Sequence, residues 1–489
     1  MEEVATAGKV VEAAICYTGN ISDPKRSKYN LDYYVQLAKE LAQHGAHILA
    51  IKDMAGLLKP YAAKQLIQAL GEETGLPIHL HTHDTSGNGV ATCLMACDAG
   101  VDAVDLALSS MSGLTSQPSL NAVCGALIGH PRAPSLDWKA MNDLAIYWER
   151  VRDHYQMFES GLLASTAEVY EHEIPGGQYS NLRPRAIELG LGERWGEIKR
   201  RYREVNDAFG DIPKVTPSSK AVADFAMFLV QNNLTVDDAI EKSERLDFPQ
   251  SFVELMSGRL GQMHGGFPQR LRDAVMKGRP TVSDRYGEHL PPHDFDAAKE
   301  RLGKRLDRAP DEARLLSDAL YPEVFNDYVE HQEVFGDASI LPTRAFLYGL
   351  QVGEEVSVDI EPGKTLIVKL VAVGGLTPDG HRMVYFELNG QPREVVVRDL
   401  SAGVTEEARP MADPTDPFDI GASMPGKVLK ILCEVGRRIE PGDALLVLEA
   451  MKMETAVTAS TIGVVERIEV EVGDEAVAGE LLVRLRPDA

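Results

Sequence analysis

Cations are scarce in this sequence. Fifty Lys and Arg face 74 Asp and Glu, which leaves a formal charge of −24 on 489 residues. So negative a surface repels phosphate backbones and anionic lipid, and the basic residues are interspersed with acids rather than gathered into a patch. Nucleic-acid and membrane-surface roles are therefore not expected. Long apolar runs are missing as well. The best stretch, residues 221–230, falls short of the roughly 18 to 20 residues that cross a bilayer, and it contains Asp224. Cysteine is sparse, with five residues odd in number, scattered and set in apolar segments, so reduced core thiols are expected and not a disulfide framework. Cys93 and Cys97 lie one helical turn apart, but without a second pair of soft ligands they read as packing. No basic segment followed by an apolar one opens the chain, and a cytoplasmic location is expected.

What is present is length for about three domains, each able to bury a core. Between residues 10 and 129, short β-branched runs alternate with amphipathic runs of helical period. Strands are expected at 10–17, 47–51, 77–83 and 101–108, and helices at 31–44, 60–72 and 89–99. Such β-α repetition implies parallel strands with crossover helices, and the apolar run 47–51 suits a sheet covered on both faces. Four units make half of an eight-fold barrel; the pattern alone leaves a small doubly wound sheet as the alternative. Residues 137–320 read as long charged helices, such as 195–209 and 219–231, broken at Pro175-Gly176-Gly177 and Pro217. The period then shortens to two at 355–360, 365–373, 382–388 and 394–397. Turns at Pro362-Gly363, Pro378-Asp379-Gly380 and Asn389-Gly390 separate these runs, which implies a small β domain. A stretch rich in Ala, Pro, Asp and Glu follows and reads as a mobile linker.

The last part of the chain is an internal repeat. Gly426, Gly436 and Gly442 recur as Gly463, Gly473 and Gly479 at a constant offset of 37 residues, with Val428 matched by Val465 and Leu445 by Leu482. Two copies of one β unit predict a pseudo-two-fold domain whose joining segment, Glu449-Ala450-Met451-Lys452-Met453-Glu454, forms a hairpin at the rim with Lys452 at its tip. Methionine on both sides of an exposed lysine gains nothing from solvent. Met424-Pro425-Gly426 and Ala450-Met451-Lys452-Met453 resemble the biotin carboxyl carrier domain, a likeness that extends over residues 421–485; it implies biotin in amide linkage to Lys452. The related lipoyl domain usually flanks its lysine with acidic and small residues.

A second constellation lies at the carboxyl ends of two expected strands, Lys52-Asp53 and His79-Leu80-His81-Thr82-His83-Asp84. Side chains at i and i+2 of a strand share a face, so His81 and His83 can bind one metal; packed, hydrogen-bonded histidines are the alternative. Residues 51–60, 79–89 and 110–118 resemble the carboxyltransferase domain of the pyruvate carboxylase family, and 174–182, 209–220 and 335–349 extend the likeness. The resemblance implies N-carboxylation of Lys52, which then joins His81 and His83 around a divalent metal, Mn or Zn. The carbamate makes chemical sense because an ammonium would repel the cation. Thr216-Pro217-Ser218-Ser219-Lys220 reads by itself as a turn and helix N-cap, with Ser218 or Ser219 accepting from free amides. The resemblance adds that Thr216 relays a proton between pyruvate and biotin while Ser219 and Lys220 hold the biotin ring.

The expected fold class is therefore an α/β multidomain chain. Residues 1–130 would form half of a TIM-type carboxyltransferase barrel, 131–335 its helical extension, 336–401 a small β part of an allosteric and tetramerisation domain, 402–420 a flexible linker and 421–489 a biotinyl flattened β-barrel. The implied activity is biotin-dependent carboxyl transfer to pyruvate, giving oxaloacetate. Implied partners are biotin protein ligase, a biotin carboxylase domain or subunit that uses ATP, and further copies of the chain in a tetramer. No Arg-Asp-Ala-His-Gln segment, which carries a further metal ligand in the family, and no glycine-rich nucleotide loop is found. The expectation is thus the carboxyl-terminal portion of a longer chain, unable to use ATP or carboxylate pyruvate unaided. Two alternatives are the α subunit of a biotin-dependent oxaloacetate decarboxylase or transcarboxylase, and a biotin-bearing scaffold without catalysis.

Overall fold

A computed structural model describes residues 1–306, 309–377, 380–399, 409–413, 416–450 and 453–487, with backbone only at Ala450 and Met453. Two compact units are formed, one by residues 1–286 with 409–489 and the other by 287–408. The helices at 287–335, expected with the carboxyltransferase region, thus group with the β domain.

The first unit opens with strands β1 (Glu12–Cys16), β2 (Ile48–Asp53), β3 (Ile78–Thr82) and β4 (Ala103–Val104). They pair in parallel in the order β1-β2-β3-β4, without the reversal that marks a doubly wound sheet. The crossover helices are Leu31–Gln43, Pro60–Thr74 and Gly89–Asp98. Asn30 caps the first by accepting from Tyr33 N–H, and Pro60 with Gly75 in the left-handed region delimits the second. These helices bury Ala13, Ile15, Leu49, Ile51, Ile78 and Leu80. The opposite face carries Glu12, Cys16, Lys52, His79 and His81 in neighbouring registers. Burial alternates along β1 and β3, whereas β2 is buried on both faces at Leu49, Ala50 and Ile51, as the apolar run led to expect, and opens only at Lys52. Cys93 and Cys97 are buried, and burial pushes the Cys93 thiol up to about 12, as suits packing.

The helical region centres on Ser218–Gln231, which is buried nearly all round. Its Asp224, the charge inside the apolar run, is held by Arg185 at 3.0 Å and Ser251 at 2.6 Å. Phe209, Phe225 and Phe252 stack beside it, with ring centroids 4.1 Å apart for the last two.

In the second unit, β5 (Glu355–Glu361), β6 (Lys364–Leu376), β7 (His381–Leu388) and β8 (Gln391–Arg398) form an antiparallel meander. Asn389 and Gly390 both take positive φ, 49° and 77°, which is the two-residue hairpin expected at that dipeptide. Leu302, Phe325 and Val329 make a separate small core among the helices of this unit.

The repeat builds two four-stranded sheets. One contains β10 (Gly426–Ile431), β12 (Ala444–Ala450), β13 (Met453–Thr458) and β15 (Glu475–Ala476); the other contains β9 (Asp419–Gly421), β11 (Arg438–Ile439), β14 (Gly463–Ile468) and β16 (Leu481–Arg486). Shifting the first set by 37 positions in the appropriate direction superposes each strand on a member of the second. β9 matches the end of β13, so the first copy begins inside the segment expected to be a mobile linker. From Arg409 that segment is bound: Arg409 pairs with Asp474 at 2.6 Å and Ala412 N–H donates to Gly479 O. Its few apolar residues hid strand pairing that depends on β16, over sixty residues away.

Candidate functional site

The carboxyl ends of β2 and β3 bring Lys52 and His81 into register, and His83 follows directly after β3. Asp53, buried beside them, ties the end of β2 down. It accepts from Leu57 N–H at 2.9 Å, Leu58 N–H at 2.8 Å and the Thr82 hydroxyl at 2.8 Å. It is a structural carboxylate, not a ligand.

His81 and His83 point one ring nitrogen at each other, Nε2 to Nε2, 3.3 Å apart. Their other nitrogens are engaged by acceptors: His83 Nδ1 donates to Thr115 O at 2.6 Å, and His81 Nδ1 to Asp105 Oδ2 at 2.8 Å. With both protons on Nδ1, the two Nε2 atoms face one another as lone pairs. That arrangement is repulsive alone and is relieved by a cation between them. Burial, followed by the neighbouring His81 and Lys52, lowers the His83 pKa and so favours the neutral ligand form. Among the described residues no cluster of three or more His, Cys, Asp and Glu forms a metal site. A cation between the two imidazoles would need a further donor, and Lys52 is the neighbouring residue in register with His81.

His79 is different. Glu12 and Asp105 each lie 2.8 Å from one of its nitrogens, and although burial opposes the charge, the two carboxylates raise its pKa. Asp105 thus orients His79 and His81 together, a role invisible in a sequence where it is one acid in an expected strand.

Gly176 is a second residue that sequence reasoning missed. It was read as punctuation, yet a Cβ there would lie 2.6 Å from His83 Nδ1 and 2.7 Å from Thr115 O, against the very bond that orients His83. Gly176 opens the helix Gly176–Glu188, and Gln178, Asn181 and Arg185 of that helix line a cavity of about 870 Å³. Thr216 and Lys220 line the same cavity. So do Pro425, Gly426, Lys427, Glu449 and Glu475 of the C-terminal domain. Ser219 is buried and does not line it. Nor does either serine cap the helix: Ser218 Oγ accepts from Val215 N–H and has Pro213 O and Val215 O within reach of its single proton, bracing the turn, and no side chain caps Ser218–Gln231. Lys452 lies outside the described residues, as does Met451. β12 and β13 pair up to Ala450 and Met453 on either side of them.

Residues 2–146 match the HMGL-like family, 169–369 the conserved carboxylase domain and 419–485 the biotin-requiring enzymes. The pyruvate carboxylase of Bacillus subtilis (strain 168) is 52% identical over 485 residues, which cover 99% of this chain and 42% of that protein. The chain thus spans well under half the length of the curated relatives it matches. The carboxyl transferase domain from Rhizobium etli pyruvate carboxylase, solved with pyruvate and biocytin, shares 48% identity at a TM-score of 0.76 over 82% of this chain and 67% of that one. A complete multifunctional pyruvate carboxylase from Rhizobium etli shares 44% identity at a TM-score of 0.74 over 99% of this chain and 44% of that one. With its α/β multidomain fold and matches to all three domain families, the chain belongs to the pyruvate carboxylase family.

Proposed function

We propose that this chain performs the transfer half of a biotin-dependent carboxylation, giving oxaloacetate from pyruvate, with biotin on Lys452 and a divalent metal, Mn or Zn, held by His81, His83 and N-carboxylated Lys52. In this reading the β1–β4 sheet is part of a TIM-type barrel, its open polar face belonging to the barrel interior, and the paired C-terminal sheets are a biotinyl flattened β-barrel. The ATP-dependent step belongs to a biotin carboxylase portion, biotin protein ligase loads Lys452, and the complete protein is a homo-oligomer, in keeping with a tetramer.

The observation that carries this reading is the shared cavity, which Thr216 and Lys220 line together with Pro425, Gly426 and Lys427 of the C-terminal domain. When bound, the metal supplies Lewis acidity toward an enolate oxygen and biotin supplies the carboxyl group. The Thr216 Oγ1 moves a proton between the pyruvate methyl group and a biotin ring nitrogen. Lys220 supplies positive charge toward a substrate carboxylate, while Arg185, on the same cavity, is paired with Asp224 and fixes the wall. Ser219, buried next to Lys220 on the same helix, would help Lys220 hold the biotin ring, as the resemblance implies.

The test is oxaloacetate decarboxylation with free biotin, assayed after the remaining barrel strands are supplied. Thr216→Ala should lower kcat at least 100-fold, the usual scale for a lost proton relay, with little change in KM. An unchanged kcat would overturn the assignment.

A further inference from the structure

The C-terminal domain is attached to the helical region at a point outside the cavity. Thr458 Oγ1 donates to Asp247 Oδ1 at 2.6 Å, and Thr458 N–H to Asp247 Oδ2 at 3.4 Å, across 211 residues of sequence. We propose that Asp247 is the positioning residue that seats the C-terminal domain, by receiving Thr458, so that its Pro425–Gly426 side faces Thr216 and Lys220. This rests on the reading of that domain as the biotin carrier.

Three observations support it. Among the described residues β13 is an edge strand of its sheet, with no strand beyond it to pair the Thr458 amide, and a carboxylate satisfies that amide together with the hydroxyl. The helix Gln250–Ser257, which starts just after Asp247, lies against β13, while Met424 is buried against Leu189 of the helical region. Finally, the pseudo-two-fold symmetry is broken at this position. The repeat partner of Thr458 is Gly421, which has no hydroxyl and is crowded by Ala412 of the domain's own leading segment. The domain can therefore present this contact from only one of its two similar faces, the one whose strand begins beside Lys452. Docking is thereby given an orientation.

Removing Thr458 does not strand the acid, because Lys277 and Arg279 lie near Asp247 and share its charge. The test is hydrogen–deuterium exchange on the whole chain. Thr458→Val and Asp247→Ala should each speed exchange at residues 247–257 and 454–459 about tenfold, the equivalent of one charge-assisted hydrogen bond. The double variant should be no faster than the faster single one, and Thr458→Ser should restore protection. Amides of β10 and β12 serve as the folding control and should exchange as in wild type. Wild-type protection in the single variants, or additive effects in the double, would overturn the proposal. An avidin blot of the same samples tests the carrier reading separately: a negative blot defeats that reading, while the exchange result still decides the contact.

Discussion

Gly176→Ala is the most demanding test of the histidine site. The added methyl would stand 2.6 Å from His83 Nδ1, 3.2 Å from His83 Cγ and 2.7 Å from Thr115 O. Ordinary contacts to carbon begin at about 3.5 Å, so the overlap approaches an ångström. The backbone has little room to retreat, since Gly176 N–H is bound to Met54 O at 2.8 Å and the helix it opens is anchored by buried Tyr179 and Leu182. His83 must therefore turn and give up its bond to Thr115. Overpacking of this kind costs about 1 to 3 kcal/mol, and loss of a ligand's orienting hydrogen bond typically lowers metal affinity about 10- to 100-fold. Gly177→Ala is the control: a Cβ there meets nothing within 4 Å, and a helix gains roughly 0.5 to 1 kcal/mol from the exchange. Urea unfolding and calorimetric Mn or Zn titration of both variants check this. Wild-type metal affinity in Gly176→Ala would refute the reasoning.

Other expectations follow from buried charge. Glu173, which binds Lys214 at 2.9 Å together with Arg26 and Arg203, holds the segment leading to Thr216; Glu173→Gln should cost about 3 to 5 kcal/mol in urea unfolding, and an unchanged midpoint would contradict this. Asp53→Ala leaves two amides and a hydroxyl unpaired, and should destabilise by about 3 kcal/mol while loosening the Lys52 end of β2, visible as faster amide exchange at Leu57 and Leu58. Burial, assisted by nearby Lys199, lowers the His172 pKa from 6.5 to about 4. The unfolded chain takes up that proton as the pH falls through 6.5 while the folded chain does not until about 4, so stability declines across that window by about 3 kcal/mol. His172→Gln should flatten that part of the unfolding profile; parallel profiles for the two proteins would contradict it.

Local pattern carried much of this architecture. The β-α alternation, the helix start at Pro60, the Asn389-Gly390 hairpin and the 37-residue repeat are all properties of neighbouring residues or of self-similarity, and each can be read along the chain. His81 and His83 were legible because strand period places i and i+2 together. What was not legible depends on distant pairing. Asp105 gains its role only when β3 and β4 lie side by side. Gly176 matters because its missing Cβ makes room for His83, 93 positions earlier, and a loop glycine looks the same whether or not it faces a histidine. Ser219 follows a motif into a buried position. The segment after Arg409 has linker composition yet pairs with residues near the end of the chain. The Asp247–Thr458 contact likewise has no local signature.

Carboxyl transfer through Lys452 is tested most directly by isotope. Supplied with the part of its relatives that it does not span, the biotinylated chain is incubated with oxaloacetate labelled in its C4 carboxyl group, and label on the peptide containing Lys452 is measured at once. The account predicts label in wild type, at least a 100-fold slower appearance in Thr216→Ala and none in Lys452→Arg or after avidin treatment. An unlabelled wild-type peptide, or label retained in Lys452→Arg, would contradict it.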